Sequence, residues 1–211
     1  TGSDKITISV SAIGKSAGLT PSKRSNAKPD DIVITTGMTG SSRAGLWLLE
    51  TGFNDIDKDI KEKFIKSHTM PVPQLEIGRK IAEICQPQPT IMDTSDGLAD
   101  ALYKISKMSN VSMEIDAEKI PYDKDLKIIA DFANTDFLNW VFFGGEDYQL
   151  VATVSEENYQ KLQELNLSII PIGKVIPAKA DTEINVINGD RNFIINQKSI
   201  DNNSFDHFKG N

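Results

Sequence analysis

Ile91-Met92-Asp93-Thr94-Ser95-Asp96-Gly97-Leu98-Ala99-Asp100 is the stretch around which the chain is organised. An apolar run ends at Met92 and gives way to two carboxylates, Asp93 and Asp96, with hydroxyls between them. Gly97 follows, and a helical pattern begins at Leu98. Acids at a strand-to-helix turn suit a hard cation such as Mg²⁺. Backbone N–H groups at the helix start can meet phosphate oxygens. The same residues carry a plainer reading, in which Asp96 caps the helix. Both readings stand at this point.

Working outward, Asp31-Ile32-Val33-Ile34-Thr35-Thr36 is rich in β-branched residues and reads as a strand. It leads through the small-residue turn Gly37-Met38-Thr39-Gly40-Ser41-Ser42 into a helix over residues 43–50. That turn lacks the Lys-Ser/Thr ending of a phosphate loop and reads as packing at a helix start. Residues 55–67 form a charged helix, and Pro71 and Pro73 interrupt the chain. Residues 75–85 are amphipathic, with Ile77, Ile81, Ile84 and Cys85 on one side. Past the organising stretch, the spacing gives a helix over 98–108, a strand over 111–115 and helices over 125–132 and 135–142. A glycine-paired turn with two acids follows, Gly144-Gly145-Glu146-Asp147, then a strand over 149–154. Ser155 N-caps a helix reaching 165. A strand over 168–176 and a hairpin around Asn188-Gly189 close the pattern. Residues 5–13 alternate Ile6, Ile8 and Val10 with Thr7, Ser9 and Ser11, the period of a half-buried strand. Mixed strands and helices without a strict βαβ rhythm point to an α+β domain.

Composition narrows the function classes. The 211 residues carry 23 basic and 30 acidic side chains, a net charge of −7. That argues against non-specific nucleic-acid binding, which needs a basic face. No apolar run approaches the ~18 residues of a membrane span. Cys85 is the sole cysteine, so no internal disulfide forms, and a reducing, cytoplasmic location is expected. His68 and His207 stand far apart without cysteines near them, against a zinc site. Neither lies near a plausible activated serine in sequence, so no nucleophilic triad is read. Outside the organising stretch, Arg24 within Lys23-Arg24-Ser25-Asn26-Ala27-Lys28 offers a planar fork for phosphate, or else a solvated basic loop.

The ordered pieces resemble the aminoimidazole-ribonucleotide-synthetase-like family, and within it the thiamine-monophosphate kinases. Arg24 with Ala27-Lys28-Pro29-Asp30-Asp31 is similar to that family's "R-x-x-A-x-P-G-D". Thr35-Thr36-Gly37 through Gly40-Ser41, with Ala44-Gly45-Leu46, is similar to "V-T-G-x-x-G-x-S-x-x-G-L". Pro71-Val72-Pro73 resembles "P-x-P-R", Asp93 to Leu98 "D-x-S-D-G-L", and Gly144 to Leu150 "G-G-E-D-Y-E-L". Gly173-Lys174-Val175 resembles "I-G-x-V", and Phe205-Asp206-His207-Phe208 the terminal "Y/F-x-H-F". Three positions depart: Asp30 for Gly, Gln74 for Arg and Gln149 for Glu.

The resemblance implies an ATP-dependent enzyme that phosphorylates thiamine monophosphate to thiamine diphosphate. Such transfer rests on positioning and charge neutralisation rather than a covalent catalytic residue. It implies Mg²⁺ at Asp93 and Asp96, ATP at Arg24 and Ser95, and thiamine monophosphate at Glu146 and Phe205. The family's N-terminal half, with its "G-D-D", "S-T-D" and "G-G-D-T" motifs, is expected to lie outside this sequence. Residues 1–14 are then its last strand, residues 15–211 the C-terminal domain, and the chain alone is expected to be inactive. That first strand forms the family's homodimer contact, and here it is expected to pair with a neighbouring chain or fold back on the domain. Two alternatives remain at this stage: another ATP-dependent synthetase of the same fold, and a non-catalytic ligand-binding module. No nucleic-acid or membrane partner is expected.

Overall fold

Ile32 to Thr35 is the strand that organises the sheet, because its successive side chains enter different cores. Val33 packs into the larger core and Ile34 into the smaller, the period-two geometry of a strand buried on both faces. The computed structural model describes residues 8–179 and 183–203. Among these, seven strands form one mixed sheet: β1 (Ile32–Thr35), β2 (Thr90–Asp93), β3 (Val111–Asp116), β4 (Leu150–Val154), β5 (Ile170–Pro177), β6 (Ile184–Ile187) and β7 (Phe193–Ile195). Their spatial order is β2-β4-β1-β5-β3-β6-β7. The β3–β6 pair is parallel and the other pairs are antiparallel.

Helices cover both faces. On one side lie α1 (Ser41–Thr51), α4 (Leu98–Ser109), α5 (Leu126–Phe132), α6 (Phe137–Phe143) and α8 (Gln197–Asn203), with α2 (Lys58–Thr69) packed against α1. Leu48, Leu98, Leu102, Leu126, Phe142 and Met113 are fully buried there. On the other side, α3 (Leu75–Ile84) and α7 (Glu156–Glu164) bury Ile81, Cys85 and Leu162 against Ile34, Ala152 and Val154. The burial that places Cys85 in this core pushes its thiol up to about 11, so it behaves as a small hydrophobe. Ser155 caps α7 as its sequence suggests, accepting from the Asn158 N–H at 3.3 Å. β6 and β7 form the hairpin read from Asn188-Gly189.

Two features of the structure depart from the sequence pattern. Residues 5–7 of the expected first strand lie outside the described residues. Residues 8–13 form no strand and do not fold back on the domain: Ile8, Val10 and Ile13 are 82%, 87% and 101% exposed. Alternation makes a strand only where a sheet edge supplies hydrogen bonds, and none does so for these residues among the described residues. The second is α8, on which the sequence reading is silent and whose stretch Gln197-Lys198-Ser199-Ile200-Asp201-Asn202-Asn203 has one buried apolar residue, Ile200. With so little periodicity, no helix is legible there.

The sheet sets up the functional end of the molecule. Thr35 of β1 faces Val151 of β4, and Asp93 of β2 faces Leu150. Antiparallel pairing therefore brings the C-terminal ends of β1 and β2 to the N-terminal end of β4. The three attached loops, residues 36–40, 94–97 and 144–149, converge on one edge.

Candidate functional site

Backbone hydrogen bonds stitch these loops together. The Thr94 N–H donates to the Gln149 carbonyl at 2.9 Å, and the Gln149 N–H donates to Thr94 Oγ1 at 3.1 Å. The Glu146 N–H donates to the Ser95 carbonyl at 2.8 Å. Thr36 does the same from the other side, its Oγ1 accepting from the Leu150 N–H at 2.9 Å. The turn in the organising stretch closes through the Gly97 N–H and Thr94 carbonyl at 3.0 Å. Gly97 sits at φ 104°, and a Cβ there would come within 3.2 Å of the Phe142 carbonyl oxygen. Glycine is required on both counts.

Asp147 fastens the third loop. It is buried, and its carboxylate accepts from the Gly40 N–H at 2.6 Å and the Ser42 N–H at 2.8 Å, at the start of α1. Gly40, at φ 88°, offers α1 no side-chain cap. Asp147, more than a hundred residues away, fills that role. The small-residue turn is thus a cradle for a carboxylate of this chain, consistent with its reading as helix-start packing. Burial pushes Asp147 up to about 7, against the N–H groups of Ser42, Gly40 and Ser41, which act to lower it. Ser42 Oγ also meets His68 Nδ1 at 2.9 Å, a contact that sequence separation hid. Ser42 is wholly buried, so the pair ties α1 to α2 and the Ser42 hydroxyl is closed to a substrate.

Glu146 and Tyr148 flank Asp147 with left-handed backbones, φ 67° and 51°. Such conformations are costly for long side chains and gather at functional loops. The Tyr148 hydroxyl donates to Glu146 Oε2 at 2.9 Å. That bond, then burial, then the charges of Glu146, Asp93 and Asp96 raise the phenol's pKa. The phenol therefore lies in the field of three carboxylates. Tyr148 also lines a cavity of about 620 Å³ shared by Arg24, Asp93, Gln74, Leu75, Ile91 and Leu150. Arg24 reaches it because its loop is pinned at several points. The Lys23 N–H donates to the Pro89 carbonyl at 3.1 Å, and Ser109 Oγ donates to the Arg24 carbonyl at 2.7 Å.

Asp93 is exposed, while Ser95 and Asp96 are half-buried. Asp96 does not cap α4, whose start carries no side-chain cap. Its Oδ2 pairs instead with Lys104 Nζ at 3.0 Å, and the same ammonium lies 2.6 Å from Asp100 Oδ2. The capping reading is therefore overturned, since the lysine two turns along the helix draws the carboxylate away from the N-terminal N–H groups. Burial raises the Asp100 pKa, with Lys104 opposing. Burial likewise acts against the Lys104 charge, but hydrogen bonds to Asp100 and Asp96 leave its pKa raised.

Of the six site residues read from sequence, five fall at this end of the sheet: Arg24, Asp93, Ser95, Asp96 and Glu146. Phe205 lies outside the described residues. Sequence reading missed Lys104 and Tyr148. The four-residue spacing Asp96, Asp100, Lys104 is an ion-pair signal that would have found the first. The donor set at Asp93, Ser95 and Asp96 is all oxygen and suits Mg²⁺, which takes one or two carboxylates and completes its shell with water and phosphate. No cluster of three or more His, Cys, Asp or Glu occurs among the described residues to hold a metal without such help. No helix among them is long and apolar enough to cross a membrane.

No family model matches the chain. It is 35% identical over 209 residues to the thiamine-monophosphate kinase of Bacillus subtilis, an alignment covering 98% of this chain and 61% of that protein. The chain is similar to the thiamine-monophosphate kinases. It spans about three fifths of the length of that curated relative. The fold agrees. The thiamine monophosphate kinase of Aquifex aeolicus superposes with a TM-score of 0.64 at 29% identity, over 81% of this chain and 53% of that one. AaThiL complexed with AMPPCP and TMP gives 0.65 at 28%, over 80% and 50%. The α+β architecture is therefore that of the aminoimidazole-ribonucleotide-synthetase-like fold, as its motifs suggest.

Proposed function

We propose that this chain belongs to an enzyme that transfers the terminal phosphoryl group of ATP to thiamine monophosphate with Mg²⁺, giving thiamine diphosphate. The observation that carries the reading is the meeting of Arg24, Asp93 and Tyr148 around one cavity, with Glu146 bonded to the same tyrosine. Support comes also from AaThiL, solved with AMPPCP and TMP. Arg24 and Ser95 contact the ATP phosphates, Glu146 and Phe205 contact thiamine monophosphate, and Asp93 and Asp96 hold Mg²⁺. Bound there, Mg²⁺ supplies charge neutralisation on the phosphates. The chain's own part is positioning: the stitched loops fix the carboxylates, and the pinned segment at Pro89 and Ser109 fixes Arg24. We assign residues 1–14 to an N-terminal domain, where they become its last strand once that domain or a second copy supplies the neighbour that residues 8–13 lack among the described residues, and residues 15–211 to the C-terminal domain. A cytoplasmic location fits the free, buried Cys85.

Binding to the native chain raises its apparent stability, so thermal unfolding tests the reading. ATP with Mg²⁺ is expected to raise Tm, and Arg24→Ala to abolish that rise. Thiamine monophosphate is expected to raise it separately, with the shift lost in Glu146→Ala. A Tm unmoved by either ligand at millimolar concentration overturns the proposal, and a response to thiamine monophosphate alone favours a non-catalytic binding module.

A further inference from the structure

We propose that Lys104 is a positioning residue for Asp96, holding its carboxylate in the orientation that accepts a divalent cation. The inference rests on the reading of Asp93 and Asp96 as the Mg²⁺ pair. Asp96 lies in a turn ahead of α4, with 42% of its side chain exposed. An aspartate so placed has open rotamers, and each must be lost when a cation binds. Lys104 removes that freedom beforehand. Its ammonium takes Asp96 Oδ2 at 3.0 Å and anchors it to Asp100 Oδ2 at 2.6 Å.

Asp100 is a firm anchor, since its side chain is 8% exposed and it sits on the buried face of α4 between Ala99 and Ala101. The chain of contacts therefore runs from the helix core to one oxygen of Asp96. The other oxygen is left out of that ion pair. Partners of this kind orient metal-binding carboxylates, and their removal commonly costs roughly 10–100-fold in metal affinity.

Charge alone predicts the opposite sign. Deleting a cation 3.0 Å from Asp96 makes the site more negative and should tighten metal binding. Orientation predicts weakening. The experiment is Mn²⁺ binding to the chain without substrate, read by water-proton relaxation, with Mg²⁺ as competitor. Lys104→Met is expected to weaken Mn²⁺ about ten-fold or more, and Lys104→Arg, which can bridge both carboxylates, to stay within about three-fold of the parent. Should Lys104→Met fail to fold because Asp100 is left buried and unpaired, the double variant Asp100→Asn/Lys104→Met removes both charges and is expected to show the same weakening. Equal or tighter binding in a folded lysine variant overturns the positioning role while leaving the metal reading intact. Absence of saturable binding in the parent, or binding indifferent to Asp93→Asn and Asp96→Asn, overturns the metal reading and this inference with it.

Discussion

Asp147 offers the most direct test of how the site is held together. Replacing it with Ala strips the acceptor from the N–H groups of Gly40 and Ser42, which lie 2.6 and 2.8 Å from its oxygens. An orphaned buried donor costs roughly 1–3 kcal/mol. With some recovery by entering water, Asp147→Ala should lose about 3 kcal/mol near pH 5. Asp147→Asn keeps one acceptor oxygen but turns an amide toward donors, and should lose about half as much. The pH dependence separates the two forces on the carboxyl. Its folded pKa of about 7 lies above the ordinary 3.8, so the folded state holds the proton more tightly. The stability this group supplies is then complete below about pH 4 and is lost as pH rises through 7, at up to ~1.4 kcal/mol per unit. Urea denaturation of the parent and Asp147→Asn across pH 4–8 should show the parent's advantage shrinking as pH rises and reversing near neutrality. A parent advantage that grows with pH would refute the argument, because it would mean that the helix N–H groups outweigh burial and keep Asp147 ionised.

Other substitutions test the frame around the site. Asp30 holds a left-handed φ of 76° and pairs with Lys174 through an exposed contact. Asp30→Gly relieves about 1 kcal/mol of backbone strain and gives up a pair worth about 0–1, so a Tm equal to or above the parent's is expected, and a clear loss refutes the strain argument. Gly97→Ala must adopt φ 104° with its Cβ 3.2 Å from a carbonyl oxygen, and should lose about 1–3 kcal/mol in urea titration. Phe142 is fully buried and meets Phe193 edge-on at 5.5 Å, so Phe142→Ala should cost about 3–5 kcal/mol; a loss under 1 would show that this core collapses around the gap.

The local features of this fold were legible because short-range chemistry dictates them. Val33 and Ile34 announce a strand, Ser155 a helix start, and Asn188-Gly189 a turn, each through its own backbone preference. What could not be read depends on partners far along the chain. The acceptor for the start of α1 is Asp147, and the contact of Ser42 is His68. Residues 8–13 show the same limit in reverse, since their alternation is strand-like but a strand exists only with a neighbour. Asp96 was half legible: its place in a strand-to-helix turn was evident, yet its capping role yields to Lys104. The site's acids were found because they cluster in two short motifs, whereas Tyr148 stands in one of those motifs with no role read for it.

The alternation of residues 146–150 gives the three departures from the family motifs different weights. Tyr148 and Leu150 line the cavity that holds Arg24 and Asp93. Asp147 and Gln149 line a second cavity of about 350 Å³, with Lys63 and Lys66. The segment is a partition, and each side of it answers to a different set of partners. Gln149 therefore stands away from the Arg24 cavity, and its Nε2 donates to the Asp147 carbonyl at 3.1 Å, a bond that glutamate cannot make. Asp30 is a matter of backbone conformation, because glycine takes φ 76° without strain. Gln74 alone of the three lines the cavity of Arg24 and Asp93. There a neutral amide replaces a guanidinium, which leaves Arg24 as the cavity's one cationic side chain among the described residues and makes it the position on which anion binding should depend most.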